Sequence, residues 1–158
     1  MATEIERKFL VADLSVLSGL KGVAVVQGYL AKESVSVRVR TLDDQAFLTL
    51  KGPFVGIARD EYEYPIPVGD AHEMLTRYCQ GCIVRKTRFY VPHASHVFEV
   101  DVYSGRLRGL VLAEVELAAE HQPVSIPDWL GPEVTGDPRF GNRSLALMDA
   151  PPALVPAS

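Results

Sequence analysis

The sequence predicts an α+β protein built around an eight-stranded antiparallel sheet with only a few helices. Eight segments have the composition of strands, and most of the connections between them are short, as in antiparallel sheets. Most of these segments also place charged residues two positions apart among apolar ones, as in VFEVDVY and LAEVEL. Side chains at i and i+2 of a strand point to the same face. The predicted sheet therefore carries one charged face and one apolar face.

Each element is predicted from alternation and from the turn residues around it. The strands are expected near residues 3–11, 23–31, 34–42, 45–51, 57–66, 82–91, 96–103 and 109–118. A short helical connection is expected at 13–22. The clearest helix, at 68–81, would use Asp70 as its N-cap and end at Gly81. Shorter helices are expected in PDWLG at 127–131 and in NRSLALMD at 142–149, with residues 1–150 forming one domain and 151–158 a disordered tail.

The composition excludes several classes of protein. The chain has 158 residues, 47% of them hydrophobic and 23% charged, which is typical of a globular domain. Its net charge of −4 provides no general attraction to nucleic acid or to an anionic membrane. We find no transmembrane segment and no signal peptide, so a cytoplasmic location is expected by default. The lone CxxC of Cys79 and Cys82 lacks the further ligands of a zinc site, and we expect both thiols to be reduced.

The charged face leaves two arrangements open. On an open sheet, the charges would face water and too few helices would remain to cover the apolar face. In a closed barrel, the charges could converge inward as a polar tunnel with the apolar face outside. The even mixture of acids and bases favours the tunnel, because buried charges must neutralise one another or bind something. Acidic residues suit divalent cations and basic residues suit a polyanion, so a cation-bound polyphosphate would satisfy both.

The motifs resemble, in order, those of the CYTH superfamily, the triphosphate tunnel metalloenzymes. EIERKFLV resembles the E-x-E-x-K signature, and the similarity continues through QGYL, SVRVR, LTLKG, RDEYEYPI, RKTRFY, FEVDVYSG, LAEVEL and NRSLA. The size is most similar to that of short bacterial members that act as inorganic tripolyphosphatases. The resemblance implies an eight-stranded antiparallel tunnel that hydrolyses tripolyphosphate to pyrophosphate and phosphate with Mg²⁺ or Mn²⁺, two ions being expected with the substrate.

The resemblance also implies roles for individual residues. The expected metal ligands are Glu4, Glu6, Glu61, Glu63, Asp101, Glu114 and Glu116. The expected phosphate-binding residues are Lys8, Arg38, Arg40, Lys51, Arg59, Lys86 and Arg88. Within these sets, the reaction itself is assigned to Lys8, Glu6, Glu61 and Arg40. Arg59 could instead pair with its acidic neighbours, and Glu99 is assigned a structural role. Arg143 could close one mouth of the tunnel, but an exposed helix residue is preferred. Tyr29 could line the tunnel or only pack against it.

Several alternatives remain open from the sequence. The substrate could be a nucleoside triphosphate or thiamine triphosphate, the reaction could be cyclisation of ATP to cyclic AMP, or the chain could bind polyphosphate without catalysis. The expected partner is a small-molecule polyphosphate and not nucleic acid or a membrane, with a homodimer left open.

Overall fold

Nine antiparallel strands and two α-helices make up the protein, whose computed structural model describes residues 3–153 and, at Lys32, only the backbone. In chain order they are β1 (Thr3–Val11), β2 (Val23–Lys32), β3 (Ser36–Leu42), β4 (Gln45–Lys51), β5 (Ala58–Pro65), α1 (Val68–Tyr78), β6 (Ile83–His93), β7 (His96–Tyr103), β8 (Val111–Glu116), β9 (Leu130–Glu133) and α2 (Asn142–Leu145). Short 3₁₀ helices occupy Leu14–Leu17, Gly105–Leu107 and Pro138–Phe140.

Eight of these strands close into a barrel. The sheet runs in the order β5-β4-β3-β2-β6-β7-β8-β1, and β1 also pairs with β5 through Thr3–Ile5 and 58–60. On its other side β1 pairs with β8 over residues 6–10. This closure confirms the predicted eight-stranded barrel. It removes the open sheet edges that a flat arrangement would leave.

The apolar face of the barrel points outward and is covered there. Phe9, Phe98 and Val115 pack together on one side, with Trp129 against them. The opposite side packs against α1, whose buried residues are Ala71 and Leu75. Since successive side chains alternate between faces, covering the apolar residues outside leaves the charged residues inside.

Helix α1 lies very close to β2 because β2 has a glycine at the contact. A Cβ added at Gly28 would lie 2.6 Å from Cys79 Cβ, so no larger residue fits without displacing the helix. The helix begins at Val68, after Pro67, and Asp70 lies in its first turn. The prediction of Asp70 as N-cap was therefore wrong. The fixed φ of the proline makes the helix begin earlier than predicted. Asp70 lies within the first turn, where its negative charge interacts favourably with the helix dipole.

The segment after β8 departs from the prediction in one place. The helix expected at 127–131 is absent, and β9 forms there instead by pairing with the end of β1, with Leu130 opposite Val11. Ala12 and Asp13 donate backbone hydrogen bonds to the Trp129 carbonyl, which holds this segment extended. The helix in NRSLALMD is confirmed as α2. Of the tail expected to be disordered, residues 154–158 lie outside the described residues.

One end of the lumen is apolar and packs against the C-terminal segment. Leu10 and Tyr103 line that end, and Phe140 and Leu145 are buried against them. Tyr103 also donates a hydrogen bond from its hydroxyl to Asn142 Oδ1, at 3.2 Å. The C-terminal segment is thus fixed to the barrel. No helix among the described residues has both the length and the apolarity needed to cross a membrane.

Candidate active site in the barrel lumen

Strand register brings the predicted site residues to the inner face of the barrel. Residues directly opposite each other on paired strands share a face. Lys8 lies opposite Glu114, and Arg88 lies opposite Asp101. The same register argument places the whole predicted set on the inner face: Glu4, Glu6, Lys8, Arg38, Arg40, Lys51, Arg59, Glu61, Glu63, Lys86, Arg88, Asp101, Glu114 and Glu116.

The most deeply buried group consists of Asp101, Lys86 and Arg88. Asp101 Oδ2 lies 2.7 Å from Lys86 Nζ, and Arg88 donates to both oxygens of Asp101 at 2.8 and 2.9 Å. Only 1% of the Asp101 side chain and none of the Lys86 side chain is exposed. Burial lowers the pKa of Lys86 to about 8, against the opposing effect of Asp101. Burial would raise the pKa of Asp101, but the charges of Lys86 and Arg88 outweigh it and lower that pKa.

A second group joins Lys8 to the acids of β1 and β8. Lys8 Nζ donates to the Phe140 carbonyl at 2.9 Å and lies 3.5 Å from Glu114 Oε1. Burial would lower the pKa of Lys8, but the carboxylates of Glu114 and Glu6 outweigh it and raise that pKa. The pKa of Glu6 is well above its usual value, because the group is buried and lies near Glu114 and Glu4. The Glu6 carboxyl therefore holds its proton to a higher pH than an ordinary glutamate does.

Lys51 bridges two strands from a third. Its Nζ lies 2.9 Å from Glu4 on β1 and 3.2 Å from Glu61 on β5. Both carboxylates that face this lysine belong to the predicted metal ligands. Lys51 thus lies between two predicted metal ligands. A phosphate that bound Lys51, or a cation that bound the two carboxylates, would break these ion pairs.

Arg38 and Arg40 share one carboxylate. Arg40 Nη2 lies 3.1 Å from Glu63 Oε2, and Arg38 Nη2 lies 3.8 Å from the same oxygen. Thr49 donates to that oxygen at 2.9 Å. Burial, with the positive charges of Arg38 and Arg88, lowers the pKa of Arg40 to about 10. Positive charge is therefore in excess on this wall of the lumen. An anion bound there would reduce the repulsion between the arginines.

A cavity of about 480 Å³ lies between the lumen and the C-terminal segment. Lys8, Lys51 and Arg59 line it from the barrel, and Arg143 lines it from α2. Arg59 donates to the Gly52 carbonyl at 3.0 Å, and its guanidinium lies 4.3 Å from the centre of the Phe54 ring. Tyr29 lines this cavity and also belongs to the apolar cluster at the end of the lumen, so it does more than pack against the outside of the tunnel.

Two acids lie toward the less enclosed part of the lumen. Glu116 is exposed and lies opposite Glu6 on the β1–β8 ladder. Glu99 pairs with Arg88, and burial raises its pKa despite that cation. Glu99 therefore contacts Arg88, one of the predicted phosphate-binding residues.

The acids do not form a single cluster. Within residues 3–153, no three carboxylate, histidine or cysteine side chains come close enough together to form a ready-made metal site. Five of the seven expected ligands are held in the ion pairs described above, namely Glu4, Glu61, Glu63, Asp101 and Glu114, whereas Glu6 and Glu116 take part in none of those pairs. Their oxygen chemistry nevertheless suits Mg²⁺ or Mn²⁺. Glu114 Oε1 is buried without a hydrogen-bond partner in the described part of the chain, and its ion-pair contact with Lys8 is long, at 3.5 Å, so this oxygen could ligate a cation.

Charge patterning could not find the neutral residues of the lumen. Thr49 and Gln27 are both fully buried on the inner face, opposite Arg38 and Arg40 respectively. The sequence marks them only by their spacing from other predicted lumen residues. Gln27 is two positions from Tyr29 on β2, and Thr49 is two positions from Lys51 on β4, so each pair shares a face.

Comparison with known proteins agrees with this geometry. The chain is similar to a protein named inorganic triphosphatase from Acetivibrio thermocellus, with 45% identity over 146 residues that cover 92% of this chain and 94% of that protein. A second inorganic triphosphatase, from Nitrosomonas europaea, is 42% identical over 151 residues, covering 92% and 97% respectively. A crystal structure of an inorganic triphosphatase matches with a TM-score of 0.68 and 39% identity, covering 99% of both chains. The CYTH domain family matches residues 2–140.

Proposed function

The chain belongs to the CYTH domain family, and from this membership we propose that it hydrolyses inorganic triphosphate to pyrophosphate and phosphate within the barrel. The observation that carries the proposal is the convergence of bases from five strands on one enclosed lumen. Lys8, Lys51 and Lys86 supply compact charges, and the arginines beside them can make bidentate contacts to phosphate oxygens. The relatives named inorganic triphosphatase support the choice of substrate.

Substrate binding would replace internal ion pairs with phosphate contacts. In this structure Lys51 is held by Glu4 and Glu61, and Arg40 is held by Glu63. A triphosphate that takes these bases releases the carboxylates from their cations. The released carboxylates would then be free to hold a divalent ion.

We assign the ion, Mg²⁺ or Mn²⁺, to the carboxylates of Glu4, Glu6, Glu61, Glu63, Asp101, Glu114 and Glu116, with two ions expected. When bound, it would neutralise phosphate charge and make the attacking water more acidic. Asp101 differs from the rest, because both of its oxygens are held by Lys86 and Arg88. Besides its assignment to the ion, it would therefore keep those two bases in position.

The chain's own groups account for the remainder of the reaction. The attacking water adds to the terminal phosphorus as the bond to the bridging oxygen breaks, and pyrophosphate leaves. Lys8 is held in place by the Phe140 carbonyl and, with Arg40, faces the charge that spreads over the phosphoryl oxygens. The proton of the water passes to a carboxylate of Glu6, assisted by Glu61. The raised pKa of Glu6 makes it a stronger base than an ordinary carboxylate.

The test is phosphate release from tripolyphosphate, ATP and thiamine triphosphate, with Mg²⁺ and Mn²⁺ supplied separately. We expect tripolyphosphate to be the best substrate, and Lys8→Met to lower its turnover by orders of magnitude. Lys21→Met, at an exposed position, is the matched control and should retain full turnover. Preference for an organic triphosphate or formation of cyclic AMP would change the reaction assigned, and binding without turnover would leave only a polyphosphate-binding module. The cytoplasmic location and the homodimer stay predictions.

A further inference from the structure

Gln27 is a neutral polar residue buried inside the charged lumen. None of its surface is exposed, and it is among the largest side chains that are fully buried. Neither its Oε1 nor its Nε2 has a hydrogen-bond partner among the described residues. Buried side-chain amides normally have at least one partner, so an amide with none requires a reason.

The position of Gln27 shows which ligand could provide that partner. On β2 it lies opposite Arg40 of β3 on one side and Val84 of β6 on the other. The Nε atoms of Arg38 and Arg40 are also buried without a hydrogen-bond partner in the described chain. Three neighbouring side chains therefore present N–H groups without acceptors, beside one amide oxygen without a donor. Several acceptor oxygens together with a water molecule would satisfy all of them.

Packing does not account for the amide. Helix α1 fixes β2 from outside through the close contact at Gly28, on the face opposite Gln27. An apolar side chain of similar volume would fill the same space without leaving buried polar atoms unpaired, and such replacements are often neutral or stabilising. We therefore expect the empty protein to be no more stable with glutamine at this position than with an apolar residue, a cost typical of residues that serve a ligand.

We propose that Gln27 is a substrate-contacting residue of this site: its Nε2 donates to a phosphoryl oxygen of the bound triphosphate, beside Arg38 and Arg40, and its Oε1 accepts a hydrogen bond from water held against that phosphate. The inference rests on the proposed triphosphatase function. It assigns the amide a role in both binding and orientation, because one end contacts the polyanion and the other fixes a water molecule.

The test compares Gln27→Met with Gln45→Met, which makes the same change at an exposed position on β4. With Mg²⁺ and tripolyphosphate, we expect Gln27→Met to lower kcat/KM by about 10- to 100-fold, the range for losing a hydrogen bond to a charged group. The empty variant should melt at or above the wild-type temperature, and it should gain less from a non-hydrolysable triphosphate analogue. Gln45→Met should match the wild type in all three measurements.

An unchanged kcat/KM in Gln27→Met would overturn the inference, because the amide would then serve only the empty fold. Lower activity accompanied by a lower melting temperature of the empty protein would overturn it too, since that is the result of a structural role.

If Gln27→Met fails to fold, the deciding variant is Gln27→Glu. A carboxylate beside Arg38 and Arg40 should raise the melting temperature of the empty protein and weaken binding of the analogue. Equal binding by this variant and the wild type refutes the contact. Failure of the proposed function is distinct, because the wild type itself would then release no phosphate.

Discussion

Replacing Asp101 by Asn should destabilise the empty protein strongly. Asp101 is the carboxylate within hydrogen-bonding distance of both Lys86 and Arg88, and the distances are 2.7 to 2.9 Å. Removing one member of a buried ion pair leaves an uncompensated charge and costs about 3–5 kcal/mol. Lys86 limits this loss, because its pKa is already about 8 and it can release its proton near neutral pH. Arg88 cannot do so.

The expected loss is therefore at the lower end, about 3 kcal/mol, from the cost of a broken buried pair. For a protein of this size, that corresponds to a fall in Tm of roughly 6–12 °C. The assay is thermal unfolding of both proteins at pH 7 without ligand. The control is Glu133→Gln, which removes the partly exposed partner of Arg7 and should cost at most about 1 kcal/mol. A Tm for Asp101→Asn equal to that of the control would refute the reasoning, since it would mean that water reaches these charges.

Three further predictions concern charge in the lumen. The folded-state pKa of Glu6 is raised by burial and by nearby Glu114 and Glu4, so the stability its proton confers is lost as pH rises from about 4.5 through that pKa. Wild type should therefore lose Tm relative to Glu6→Gln over this range, and parallel Tm curves would contradict the shift. The Arg38→Ala/Arg40→Ala double variant should melt no lower than wild type when empty but lack the gain from a triphosphate analogue with Mg²⁺, about 2.7 kcal/mol at a hundredfold excess over Kd in wild type. Phosphate release should cease in excess EDTA and return with Mg²⁺ or Mn²⁺, whereas persistent release in EDTA would exclude a metal requirement.

The sequence predicted the strands and the inner face because both follow from local alternation. β4 and β7 have the predicted bounds, 45–51 and 96–103, since turn residues flank a regular pattern there. β9 was not predictable in this way. β9 contains Pro132 and follows Trp129 and Pro127, a composition that does not predict a strand. It becomes extended because β1 runs beyond its pairing with β5 and offers its backbone there.

The candidate site was likewise predictable only in part. The identity of the charged residues was predictable, but their partners depend on which strands become neighbours. Lys51 contacts Glu4 only because the barrel closes between β1 and β5. Gln27 lacks the charge that marked the other lumen residues, so its burial among arginines became visible only in the folded chain.

The closure between β1 and β5 is the narrowest join in the wall of the barrel. Three residue pairs hold it, against five between β1 and β8, and Lys51 reinforces it by binding a carboxylate on each of the two strands. In the proposed reaction, a phosphate that takes Lys51 would remove this link between β1 and β5. Because local opening follows the weakest contacts, the β1–β5 ladder is where we expect the barrel wall to open first.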